Sequence, residues 1–313
     1  MSKLSDYFAV GSPARGEAVF LQQQNGAAIN WTVPAGVTSI SILCVGSGAA
    51  GIAETAISSG GGGGGLAWVN NISVASGDVL AVTTGRHSIG TSNQSYRNTR
   101  PDGEDSLVVG ASTLCKASGG WSGVSTSGFA TRRAATGGSA ITGSGGTGGT
   151  GGYISTAYSA GSGGGSGGYS GAGGAGVSML LATFDGGVTG NTGSGGGGGS
   201  GGVGTQNDTY LQVGGSGGVG VLGEGSNGIG GACCQSSTSQ GGKGGSGGLD
   251  GENPWWTWRS YGLPSSSDGF GAGGSFYRHS SAAESVGNDG GPGIVRILWG
   301  DGRSFPSTDV GQS

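Results

Sequence analysis

The sequence predicts an all-β protein in two parts. One is an antiparallel, sandwich-like base; the other is a glycine-rich block of stacked polyglycine-II (polyproline-II-like) helices; α-helix is almost absent. Three observations carry this. Runs rich in Val, Ile and Thr dominate the first 118 residues, and no run keeps helical periodicity over eleven residues. Glycine makes up 82 of 313 residues and is placed with a period of three rather than at random. A clear strand signal, "GIVRILW", stands at the far C-terminal end and needs sheet partners from the N-terminal part.

The parts divide the chain into an N-terminal attachment segment (1–28), a β-strand base (29–118), a glycine-rich block with displayed loops (119–292) and a closing strand with its tail (293–313). In the base, "AAINWTVPAGVTSISILCVGSG" holds two strand runs around a Pro-Ala-Gly turn. Along "TSISILCV", Ile40, Ile42 and Cys44 share one face, and Leu43 and Val45 take the other. "LAWVNNISVASGDVLAVTTG" reads as two strands around a Ser-Gly-Asp turn, and "DSLVVGASTLCKAS" as a hairpin-like pair around Gly110. In the closing strand Val295, Ile297 and Trp299 alternate, and the N-terminal sheet is the simplest partner.

In "GGTGGTGGY", glycine fills two positions of three, with Thr147, Thr150 and Tyr153 at the third; "GGKGGSGGL" and "GGSGGVG" repeat the pattern. A polyproline-II helix has three residues per turn and no internal hydrogen bonds. Two glycines per turn leave two faces bare, so neighbours can approach closely. The backbone groups, if buried, must then bond to adjacent segments. Collagen is excluded, because the chain has only 7 prolines and no G-X-Y repeat. Ordering glycine is costly, so the block needs nearly every lateral bond. Between the tracts stand "YISTAYSA", "VSMLLATFD", "TQNDTYLQV", "ACCQSSTSQ" and "ENPWWTWRSYGLPSSSDGF". If successive helices run antiparallel, these are loops at alternating ends of the block, and they carry the chemistry.

The net charge of −4 with 10% charged residues argues against a nucleic-acid partner. The N-terminus has no apolar h-region and the chain no apolar run of about 18 residues, so neither signal-peptide export nor a membrane span is expected. Cys44, Cys115, Cys233 and Cys234 have no metal-ligand spacing and read as free thiols. No cofactor, metal site or catalytic residue is expected. His87 and His279 lie in no motif, the many GxGxxG matches follow from glycine abundance, and Asp250 with Glu252 reads as a solvated turn.

The candidate binding residues are aromatic and polar. Trp255, Trp256, Trp258, Arg259 and Tyr261 crowd one segment and suit stacking on sugars or packing on a receptor; the competing reading is that they fill a core or hold a neighbouring subunit. Tyr153, Tyr158, Asn207, Tyr210 and Tyr277 belong to segments with the residue types of adaptable binding loops, against which stand plain solvated tips. An ice-binding polyglycine protein would need a flat, regular Thr-bearing face; Thr147 and Thr150 repeat, but Ser246 and Val219 do not continue them.

From "WTVPAGVTSISILCVGSGAAG" through the glycine tracts to "GGPGIVRILWGDGRSFPST", residues 29–308, the chain resembles the glycine-rich tail-fibre proteins of tailed bacteriophages. The block also resembles the tip adhesins of T-even-like phages, in which stacked polyglycine-II helices present variable receptor-binding loops. The resemblance implies a virion protein that binds a host cell-surface receptor, a glycan or an outer-membrane protein, through the interrupting segments. It implies attachment to other tail proteins through the N-terminal segment and a homo-oligomer, a trimer by analogy with fibres. Residues 1–28 match no adhesin attachment domain. The alternative is a purely structural virion protein, a fibre connector or decoration protein.

Overall fold

A computed structural model of the chain describes residues 15–22, 26–53, 58–90, 101–125, 128–132, 135–154, 159–180, 187–206, 210–232, 240–251, 269–278 and 286–306. Among these the structure is all-β, without an α-helix and hence with no helix able to cross a membrane.

Two antiparallel sheets make the base. One has the order Gly16–Phe20, Ile294–Trp299, Ser39–Val45, Leu66–Ser73; the other runs Ala140–Thr142, Thr113–Ala117, Ser106–Val109, Val79–Thr83, Ile29–Thr32. The closing strand thus lies between strands 16–20 and 39–45, and part of the N-terminal segment belongs to the base. The turns at Pro34–Gly36 and Ser76–Asp78 do not close hairpins. Each carries the chain from one sheet to the other, because the apolar faces of the flanking strands meet in one core from opposite sides. Ser76 Oγ ties the two turns together, accepting from Gly36 N–H at 2.7 Å and donating to Pro34 O at 3.0 Å.

That core contains Ile40, Ile42, Cys44, Val295 and Ile297 from the first sheet and Leu80, Val82, Val108, Cys115 and Ala117 from the second, with Trp31 and Trp299 packed 5.7 Å apart at its margin. Both thiols are fully buried and free. Burial, together with the neighbouring Cys115 thiol, pushes the Cys44 thiol well up.

The first sheet is buried on its second face too, against the glycine block. Leu43, Val45, Leu66, Ile294 and Leu298 pack there on Tyr169, Val219 and Phe305. Phe305 stacks on Tyr169 at 6.2 Å and is clamped by Asn70, whose side chain bonds its N–H at 2.9 Å and its carbonyl at 2.6 Å. Tyr169 closes the underside of the block: its hydroxyl donates to Gly220 O and accepts from Gly223 N–H, both at 3.1 Å. Burial raises this phenol well above its usual range. Tyr169→Phe removes both bonds while keeping the ring; we expect a loss of about 1–3 kcal/mol, read as a shift in denaturation midpoint without a change in slope.

Above the base, the chain forms a laterally bonded array. Segment 60–66 shows its rule. Gly60, Gly63 and Leu66 donate to Gly152, Gly149 and Gly146; Gly61 and Gly64 donate to Gly274 and Gly271; Gly62 and Gly65 donate to Trp121 and Ser118. Its carbonyls accept from Gly46 and Ala49, from Gly164 and Gly167, and from Gly138. The hydrogen bonds repeat every three residues, each third of the backbone addresses a different neighbour, and the segment has six neighbours. These are bonded to one another around a closed ring, as in Gly149 N–H to Gly165 O, Gly273 N–H to Gly164 O, Gly274 N–H to Ala49 O and Gly120 N–H to Ser47 O, all 2.8–2.9 Å. A three-residue repeat with lateral bonding is what an extended threefold helix requires when buried. Segment 46–51 follows the same rule with Ser47, Ala49 and Ala50 in it: residues 46 and 49, 47 and 50, and 48 and 51 address 65 and 62, 104 and 101, and 291 and 288. Segments 46–51 and 60–65, which composition placed with the base, therefore run inside the array, and the base strands continue directly into it.

Small side chains such as Ser47, Ala49 and Ser166 are buried within the array, but at its inner glycines the packing leaves no room for one. A Cβ on Gly62 would fall on the carbonyl oxygen of Thr136, and one on Gly63 on that of Gly165. Side chains are carried outward where a segment faces solvent: Ser144, Thr147, Thr150 and Tyr153 are all exposed, three residues apart.

Candidate functional site

The two ends of the array are unlike. At the base end, successive segments are joined by tight turns, at residues 143–145, 168–171, 194–197 and 245–248. Gly195 and Gly196, at φ of 53° and 76°, make one such turn in the left-handed region that glycine tolerates. The other connections leave from the opposite end. Residues 53 and 58, 90 and 101, 154 and 159, 180 and 187, 206 and 210, 232 and 240, and 278 and 286 are the last described positions on either side of an interruption. The bond register places them remote from the base. Gly60 is level with Gly152, Gly152 with Ser162 and Ser162 with Val177, whereas Leu66 and Gly146 meet beside the base. The flanks of these seven interruptions therefore stand at one end, not at alternating ends as antiparallel succession alone predicts; the stretch between Gly251 and Gly269 is the exception, since Phe270 packs beside the base. Returns at the base such as 143–145 and 194–197 are short and glycine-rich, which leaves the flanks of these seven segments on the other side.

At this far end the segments open into short antiparallel strands: Ile52–Ala53 with Ser58–Ser59 and Tyr153–Ile154, Ser159–Gly161 with Ser178–Leu180 and Phe276–Arg278, and Val203–Gln206 with Tyr210–Val213. The second and third of these groups share a small apolar cluster of Ala160, Met179, Val203 and Val213. This cluster fixes the spacing of the strands from which the interruptions start.

Of the binding residues expected from sequence, Tyr153 is at the end of its segment and 43% exposed, with its carbonyl accepting from Ser178 Oγ at 3.2 Å. Tyr277 stands opposite Ala160 and packs half-buried on the Met179 cluster, so its ring helps hold the strands. The backbone of Tyr210 pairs with Gln206 at the far end. Tyr158, Asn207, Trp255, Trp256, Trp258, Arg259 and Tyr261 lie outside the described residues, as do Cys233, Cys234 and His279. The last aromatic group belongs to a segment unlike the others: it returns at Phe270, which packs in the cluster beside the base. Sequence reasoning missed Trp121, 50% exposed and bonded through its N–H to Thr136 O at 2.8 Å. Its signal was present: "GGWSG" puts an aromatic at the third position after two glycines.

Polar groups along the sides are engaged within the fold. Arg86 forms a bidentate pair with Glu104, and His87 Nδ1 accepts from Gln22 Nε2 at 2.7 Å. Asp250 takes Lys243 Nζ at 2.7 Å and Gly244 N–H at 2.9 Å; burial pushes its carboxyl up, but these bonds outweigh it and hold it below the usual range.

No family model matches the chain, and no curated protein matches it by sequence.

Proposed function

We propose that this chain is a receptor-binding subunit of a bacteriophage tail fibre, in which the glycine array is a platform of polyglycine-II helices and the interruptions at its far end bind a host cell-surface glycan or outer-membrane protein. The observation that carries the reading is the asymmetry of the two ends. Tight turns join segments at the base end, and the described flanks of seven interruptions, among them those on either side of Tyr158 and Asn207, stand at the other. Binding loops are commonly held this way, on a rigid scaffold that leaves their sequence free to vary. Tyr153 is the described residue best placed for contact, and Tyr158, Asn207 and Tyr210 belong to the neighbouring connections. The aromatic segment 255–261, whose chain returns at Phe270 beside the base, is a separate candidate with the residue types that dominate binding energy at interfaces.

The test is adsorption of virions, or of the isolated protein, to host cells. Tyr153→Ala, and separately Trp255→Ala with Trp256→Ala, should lower adsorption about tenfold or more, since truncating an anchoring aromatic is worth roughly 2 kcal/mol. Unchanged adsorption by both variants, with virions that assemble poorly, would assign these residues to a structural role in the virion.

A further inference from the structure

One side of the array is a flat layer of four segments. Gly151 N–H and Gly148 N–H bond segment 146–152 to Ala135 and Gly138; Gly173 and Gly176 bond to Thr147 and Thr150; Ser194 N–H bonds to Ala172 O. A second layer backs them through Gly138 to Gly63, Gly63 to Gly149, Gly165 to Gly174 and Ser200 to Asn191. The outward positions are Thr136; Ser144, Thr147, Thr150 and Tyr153; Ala172; and Thr192, all exposed. Ser246 and Val219, which do not continue the threonine rank in sequence, are buried and belong to other layers.

The face has no charge. Residues 135–154, 172–180 and 187–194 contain no Asp, Glu, Lys or Arg, although the chain carries 30 such residues counted as 13 basic and 17 acidic. Soluble surfaces are usually about 25–35% charged, whereas the centre of a protein interface is depleted of charge. Ile141, Tyr153 and Val188, exposed by 57%, 43% and 38%, lie at the ends of its rows. Another glycine layer cannot be added, because Thr, Ala and Tyr side chains stand at every third position. A partner must meet this face side chain to side chain.

We propose that the partner is the same face of a second copy of this chain, paired about a twofold axis. Flat, uncharged and regularly spaced rows are complementary to themselves, which is what an isologous contact requires. Row length at about 3.1 Å per residue and width at about 4.8 Å per segment give about 500 Å² on each copy, or about 1,000 Å² in all. That area meets the lower bound for a specific interface and marks a reversible dimer. Tyr153, at the end of one row, belongs to this face and to the proposed receptor contact, but the variants below leave it unchanged and the readout is mass, so the two readings fail separately.

The experiment is light scattering and sedimentation of the full chain from micromolar to millimolar concentration. A reversible monomer–dimer equilibrium is expected for the wild type. Thr147→Glu with Thr150→Glu, and separately Ala172→Lys, should remain monomeric with unchanged melting; Gln240→Glu, outside this layer, should dimerise normally. If one face variant fails to fold, the other gives the answer. A wild type that stays monomeric, including one retained instead on neutral polysaccharide, or that forms an odd-numbered oligomer, overturns the proposal, as does a folded face variant that still dimerises.

Discussion

Gly64→Ala should lower stability by about 3 kcal/mol or more and the melting temperature by about 10 °C. Gly64 donates to Gly271 at 2.7 Å and lies inside the ring of six neighbours. A Cβ there would fall on the carbonyl of Gly46, whose own N–H bonds to Gly65. Ordinary overpacking costs about 1–3 kcal/mol because side chains can swing aside. Here the obstacle is backbone, and moving it breaks lateral bonds worth about 1 kcal/mol each. The contrast is Gly247→Ala. Nothing lies within 4 Å of a Cβ there, and only its φ of 75° resists the change, a penalty of about 1–2 kcal/mol. Thermal unfolding of the two variants should separate clearly; equal losses would mean that the array yields as a loop does.

Glu17→Ala should cost roughly 3 kcal/mol and flatten the acid side of the stability profile. Arg296 is buried in the closing strand between Ile294 and Leu298, and Arg303 is buried beside it. Both guanidiniums reach Glu17 Oε2, Arg296 through Nε at 3.1 Å and Nη2, and Arg303 through Nη2 at 3.1 Å; Arg296 Nη1 also donates to Val221 O at 2.8 Å and Arg303 Nη1 to Gly16 O at 2.8 Å. Removing the carboxylate leaves two buried cations facing each other, and losing one partner of a buried pair costs about 3–5 kcal/mol. The lower end applies because the Glu17 side chain is 38% exposed and water screens it. Burial works to raise the Glu17 carboxyl, but the Arg296 and Arg303 guanidiniums outweigh it and hold it below its usual value. A depressed folded-state pKa gives stabilisation that is complete above the unfolded value of about 4.3 and is lost as pH falls through the folded one. Denaturant midpoints measured from pH 7 downward should therefore fall more steeply below about pH 4 in the wild type than in Glu17→Ala. Parallel profiles would show that the carboxylate does not titrate with folding.

Much of the base was legible because strand alternation is local. The faces of Ile40 and Ile42 against Leu43 and Val45, and of Val295 and Ile297 in the closing strand, follow from a period of two. What that pattern could not convey was that the turns at Pro34–Gly36 and Ser76–Asp78 cross between sheets, since a short turn joins strands in one sheet or in two with the same residues. Nor could it show that "GRSFPST" carries a plug: Phe305 reads as a tail residue until Tyr169 and Asn70 meet it from distant parts of the chain. At the candidate site, Tyr153 was readable from its place in the three-residue rank. Tyr277 was not, because only the cluster around Met179 turns it inward.

By itself the sequence determined the all-β class, the two-residue alternation of the base strands and the three-residue spacing of the glycine tracts, because each is a periodicity of the backbone within a few residues. Only the tertiary structure decided which segments neighbour which, that segments 46–51 and 60–65 lie inside the array, and that the flanks of seven interruptions stand at one end. The physical reason is that an extended segment without internal hydrogen bonds has no preference of its own for a partner. Its neighbours are chosen by where the base strands launch it, how short the returns are, and the demand that every buried N–H find a carbonyl.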